Sequence, residues 1–215
     1  MSAVTPFPEG EFLPAGGGFI EQKPLPADAP ETKYRLNHFM MRIRDPKISL
    51  PFYTEAMGMR ILFTMNTGPF TIYYLGYPQT DEHRADLTKF ALDTLPVMQH
   101  TLGLLELYHV HGSEKQEPGY INTGNDPLRG GVGFSHLGFT VPDVPAAVER
   151  LTKMGATVFK PLGVSNRDTI PLSEWEAERG VGEGVINENY HKIFKQIAFL
   201  QDPDGYIVEL VPQDL

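Results

Sequence analysis

From residue 35 onward apolar and polar positions alternate in short runs, the period of half-buried strands, and the whole pattern occurs twice. His38-Phe39-Met40-Met41-Arg42-Ile43-Arg44-Asp45 matches His136-Leu137-Gly138-Phe139-Thr140-Val141-Pro142-Asp143, with an Asp seven positions after each His. Each Asp suits a helix N-cap. The helical stretch behind it stops at Met57-Gly58 or at Met154-Gly155, where glycine suits the C-terminal turn. Strand-like sequence resumes over 59–63 and 156–159, and each copy closes on a strand with one acid, Leu105-Glu106-Leu107 and Val208-Glu209-Leu210. His38 and Glu106 lie 68 positions apart and His136 and Glu209 lie 73 apart, a difference that loops absorb. The order β-α-β-β-β, twice, predicts an α+β fold of two tandem βαβββ modules forming curved sheets.

The modules are expected at 34–112 and 134–215, joined by a linker at 113–133 rich in Gly, Pro and Asn. Residues 1–33 carry six prolines and the Gly16-Gly17-Gly18 run, which favours an extended arm pinned by Phe7, Phe12, Phe19 and Ile20. Pro51 deletes a backbone donor inside the first helix, so a kink or a late start is expected there. An insertion at 162–192 reads as a flap holding a short helix, opened by a capping box at Ser173-Glu174-Trp175-Glu176 and stopped near Gly180.

The net charge of −9 repels polyanions and argues against nucleic-acid binding. No run of about 18 apolar residues suggests a membrane span, and the N-terminus has neither a basic start nor an apolar core, so an intracellular protein is expected. With no cysteine, any metal ligand must be His, Asp, Glu or a neutral oxygen.

Side chains alternate faces along a strand, so His38, Met40 and Arg42 oppose Phe39, Met41 and Ile43, which read as core. The same parity isolates Glu106 between Leu105 and Leu107 and Glu209 between Val208 and Leu210. A carboxylate in such a place needs a partner or a metal, because desolvation alone costs several kcal/mol. One strand His is ordinarily structural. Two imidazoles and two carboxylates, placed twice by duplication and without sulfur, suit a divalent ion with open water positions, zinc or nickel.

The segments 41–46, 105–107 and 136–139, with Gln201-Asp202-Pro203-Asp204-Gly205-Tyr206, resemble glyoxalase I of the vicinal oxygen chelate superfamily over about residues 34–213. The resemblance implies His38, Glu106, His136 and Glu209 as metal ligands, with His38 standing where some members use Gln. It implies Arg42 and Arg129 as partners of the glutathione carboxylates and Lys195 as part of the thiol-peptide pocket. It further implies isomerisation of the hemithioacetal of methylglyoxal and glutathione, with Glu209 as the proton-transferring base and Glu106 serving the opposite stereoface. The flap would limit water access. A cytoplasmic homodimer is implied, each site drawing His38 and Glu106 from one chain and His136 and Glu209 from the other. One departure stands out: the family's Thr-His-Asn-Trp-Gly reads Tyr108-His109-Val110-His111-Gly112, so Val110 replaces the Asn that binds glutathione. A paralogue of the same fold acting on a different metabolite as isomerase, epimerase or oxygenase fits Val110 and the flap. An iron extradiol dioxygenase needs only two His and one Glu, and a metal-free small-molecule-binding protein has no use for the buried acids.

Overall fold

A computed structural model describes residues 7–11, 13–14, 17–18, 22–124, 133–170 and 172–214. In the first half β1 (His38–Ile43) pairs parallel with β4 (Leu104–Val110), while β3 (Phe70–Gly76) and β2 (Arg60–Asn66) continue the sheet antiparallel in the order β1-β4-β3-β2. The second half repeats this with β5 (Leu137–Val141), β8 (Ile207–Pro212), β7 (Ala198–Gln201) and β6 (Thr157–Lys160) in the order β5-β8-β7-β6. Even the irregularities repeat: the register of β2 on β3 shifts just before Phe63, and that of β6 on β7 just before Lys160. A bulge bends a strand and raises its twist, so both sheets bend at the corresponding point.

Each first crossover helix begins where its Asp caps it. Asp45 accepts from the Lys47 amide at 2.9 Å ahead of α1 (Pro46–Pro51), and Asp143 accepts from the Ala146 amide at 2.8 Å ahead of α4 (Val144–Lys153). The disturbance expected at Pro51 takes the form of a π-helical turn, Phe52–Ala56, which follows α1 directly. Gly58 and Gly155 both have positive φ, 78° and 94°, as the chain leaves these helices.

One buried cluster runs through both halves. It unites Met41, Ile43, Leu105 and Leu107 of the first sheet and Leu200, Val208 and Leu210 of the second with Phe52, Tyr53, Ala147 and Leu151 of the helical segments. Burying such side chains contributes about 1.5–3 kcal/mol each. The helical segments meet directly, Arg150 Nε donating to the Ala56 carbonyl at 2.8 Å. The turn between β7 and β8 locks the halves further: Tyr53 donates to Asp202 at 2.7 Å, and the Arg44 amide and Ser49 hydroxyl donate to Asp204 at 2.8 and 2.5 Å.

Four details differ from the pattern read in the chain. Two helices, α2 (Asp81–Ala85) and α3 (Leu87–Thr94), stand between β3 and β4, capped by Thr80 and Asp86, and Phe90 of α3 packs on Leu62, Tyr74 and Leu104. Phe39 is not core: it is 40% exposed, its ring 6.2 Å from that of Phe134, because alternation assigns a face without saying what covers it. The arm contains a 3-10 turn at Pro30–Lys33. The flap holds two helices, the expected α5 (Glu174–Ala177), with its Ser173–Glu176 capping box, and α6 (Glu188–Phe194). Near its start the arm rests on α6 of its own chain, where Asn187 donates to Glu9 at 3.2 Å and Asn189 to the Gly10 carbonyl at 3.0 Å. Phe12, Phe19 and Ile20 lie outside the described residues.

Candidate active site

The strand register sets the four candidate ligands in two matching rows. Across the first sheet Phe63, Tyr74, Glu106 and Met40 are neighbours on adjacent strands, with His38 two positions before Met40. Across the second, Lys160, Phe199, Glu209 and Gly138 occupy the same places, with His136 two positions before Gly138. His38 Nε2 lies 3.5 Å from a Glu106 carboxylate oxygen, and His136 Nε2 lies 3.3 Å from a Glu209 oxygen. Each imidazole leans on the aromatic ring of its row, His38 on Tyr74 at 5.3 Å and His136 on Phe199 at 5.5 Å. Burial, helped by the Glu106 charge, pushes the Tyr74 phenol up to about 12.

The residue before each His, which sequence reasoning passed over, orients its ring. Asn37 donates both amide hydrogens, to the carbonyls of Met98 and Thr101 at 2.7 and 2.6 Å, so its oxygen faces His38 Nδ1 at 2.8 Å. Nδ1 must then carry the proton, and in the neutral ring Nε2 presents a lone pair to the Glu106 carboxylate. Two acceptors facing each other at this distance repel unless a proton or a cation lies between them. Ser135 holds His136 Nδ1 at 3.2 Å in the corresponding position. Outer hydrogen bonds of this kind fix the tautomer in metal sites.

Leu105, Leu107, Val208 and Leu210 all belong to the cluster shared by both halves, so Glu106 and Glu209 point away from it. Within one chain the four side chains therefore come together as two pairs and not as four. Among the described residues no group of three or more His, Asp or Glu is placed to hold a metal ion.

Arg42 shares the face of His38 and Glu106, and its Nε is buried without a hydrogen-bond partner, an uncompensated donor that suits an anion. Tyr108, its strand neighbour, stacks on Phe70 at 4.2 Å, and Val110 faces Phe70 across the strands. Lys195 is exposed at the C-cap of α6, with its carbonyl accepting from the Gly163 amide at 2.9 Å. Arg129 lies outside the described residues. Lys160 is a further charged residue that sequence reasoning missed. It is wholly buried, donates to the Ile197 carbonyl at 2.6 Å, and sits 4.4 Å over the Phe194 ring. Burial pulls its ammonium down to about 8, against the opposing pull of the Glu209 charge.

Comparison with known proteins bears on these features. A family model described as the Glyoxalase/Bleomycin resistance protein/Dioxygenase superfamily matches residues 35–210. A lactoylglutathione lyase of Pseudomonas aeruginosa is 35% identical over 193 residues, which span 87% of this chain and 88% of that protein. One from Pseudomonas putida is 29% identical over 189 residues, spanning 86% and 88%. The lactoylglutathione lyase of Schizosaccharomyces pombe is 31% identical over 185 residues, spanning 84% of this chain but only 48% of its own length.

Proposed function

This chain belongs to the glyoxalase, bleomycin resistance protein and dioxygenase superfamily, and within it to the lactoylglutathione lyase (glyoxalase I) family, and from that premise we propose that it converts the hemithioacetal of methylglyoxal and glutathione to S-lactoylglutathione. The observation that carries the reading is the pair of matched His–Glu couples, each turned away from the common core. A face that opens outward is completed by a second chain, so the active species is a homodimer in which His38 and Glu106 of one subunit meet His136 and Glu209 of its partner.

These four residues would hold a divalent cation, zinc or nickel, and the Asn37-oriented lone pair of His38 fits that role. When bound, the cation supplies Lewis acidity for the negative charge that develops as the C1 proton leaves. Glu209 takes that proton and returns it to the adjacent carbon, and Glu106 is placed to serve the opposite stereoface. Arg42 anchors a carboxylate of the peptide through its unpartnered Nε, with Lys195 and Arg129 as further cationic contacts. The flap at 162–192, its start held to its own α6 where Ser165 meets His191 at 2.6 Å, limits water access. Val110 beside Phe70 offers no polar atom to a peptide, and it supports a second reading in which the same chemistry acts on another metabolite.

The test is formation of S-lactoylglutathione, followed by ultraviolet absorbance, with metal-free protein reconstituted separately with zinc and with nickel. Turnover is expected with at least one metal, to fall at least about 100-fold on chelation, and to return on readdition. Stoichiometric metal uptake without turnover would replace this substrate with the second reading, and a protein that takes up no metal would remove the metal chemistry altogether.

A further inference from the structure

Both rows set a Glu beside an aromatic ring, and they differ on its other side, where Met40 stands in the first row and Gly138 in the second. Glu106 is flanked by large side chains on both neighbouring strands, Tyr74 on β3 and Met40 on β1. Glu209 has Phe199 on one side and, on the other, only the backbone of Gly138. A Cβ built at Gly138 meets a Glu209 carboxylate oxygen at 3.2 Å, and no other heavy atom beyond its chain neighbours lies within 4 Å. A carboxylate oxygen of Glu209 therefore leans over bare backbone, where Glu106 has the Met40 side chain as its strand neighbour. Gly138 is absent from the glycines with positive φ, so its backbone does not call for glycine. Glycine inside a strand weakens it, and such a residue commonly marks a place where another group approaches closely.

We infer that Gly138 is a positioning residue, which makes Glu209 the mobile carboxylate of the pair by reserving the space into which it turns during proton transfer. This rests on the proposed role of Glu209 as base. A base that must leave one position, collect a proton at one carbon and deliver it at the next needs room to rotate, and a carboxylate set between two side chains has less of it. The difference in room between the two carboxylates then follows from one pair of positions: Met40 narrows the space around Glu106 where Gly138 leaves it open around Glu209.

Gly138→Ala tests this, with Gly138→Ser as a second variant of similar size. The methyl is expected to lower kcat about 10- to 100-fold, the scale on which small misplacements act, with KM within about twofold of wild type. Metal affinity, measured by competition with a chelator, is expected to be unchanged or tighter, because the methyl confines the carboxylate without removing it. In a Glu209→Gln background, adding Gly138→Ala is expected to change nothing further. The inference is overturned if both variants keep kcat within about twofold, if metal affinity falls in step with kcat, or if the alanine lowers the residual activity of Glu209→Gln. Failure of the base assignment is separable, since it shows in Glu209→Gln alone as wild-type-like turnover.

Discussion

Glu209→Gln is expected to keep the fold, the subunit association and most of the bound metal while lowering turnover by about 100- to 10,000-fold, the range that positioned general acid–base groups contribute. The amide retains the shape and an oxygen donor, so the couple with His136, now 3.3 Å apart, loses its proton acceptor and little else. Metal content by elemental analysis and kcat by the lactoylglutathione assay, on the same preparation, separate the two roles. A variant that loses metal and activity together would mean that Glu209 serves chiefly as a ligand. One that keeps full turnover would remove it from proton transfer.

The second large effect concerns stability. Asp202→Ala is expected to cost about 3 kcal/mol, because it strips the acceptor from three buried or nearly buried donors at once. These are the Tyr53 hydroxyl at 2.7 Å and the amides of Asp204 and Tyr206 at 2.9 and 2.8 Å, and Tyr53 is completely buried. Burial raises the Asp202 carboxyl to about 7, against the hydrogen bonds that favour its ionised form. The native carboxyl therefore holds a proton through a window, about pH 4 to 7, in which the unfolded chain's carboxyl is ionised. Its contribution to stability is fullest at the acid end of that window and diminishes as the pH rises through it. Urea unfolding of both proteins should thus show a gap that widens from pH 7 to pH 5. A gap below about 0.5 kcal/mol, or one that narrows on acidification, would contradict this account of the junction.

Much of this was legible in the chain because duplication makes weak signals check one another. The Asp caps at 45 and 143 and the alternation around Glu106 and Glu209 needed only local rules, and both helix starts and both strand faces follow them. Helices α2 and α3 were missed although Thr80 and Asp86 are ordinary capping residues, because the repeat pattern has no place for them. Asn37 and Ser135 carried no signal beyond standing before a histidine, and their roles depend on carbonyls some 61 and 64 positions away in the case of Asn37. Alternation also overreached at Phe39, which is 40% exposed, because a strand's period assigns a face and not what covers it. The relation between the two couples was beyond local reading. It depends on the halves sharing one core, through contacts such as Tyr53 with Asp202, 149 positions apart. Gly138 likewise gained meaning only once the register set it beside Glu209 and Met40 beside Glu106.

That outward arrangement makes subunit complementation the most direct test. One variant carries His38→Ala with Glu106→Gln, the other His136→Ala with Glu209→Gln, and each alone is expected to be inactive. Co-expressed, they form mixed dimers in half of the random pairings, each with one intact site of two, so about a quarter of wild-type activity should return. A mixture as inactive as its components, with mixed dimers demonstrably present, would contradict a site shared between chains.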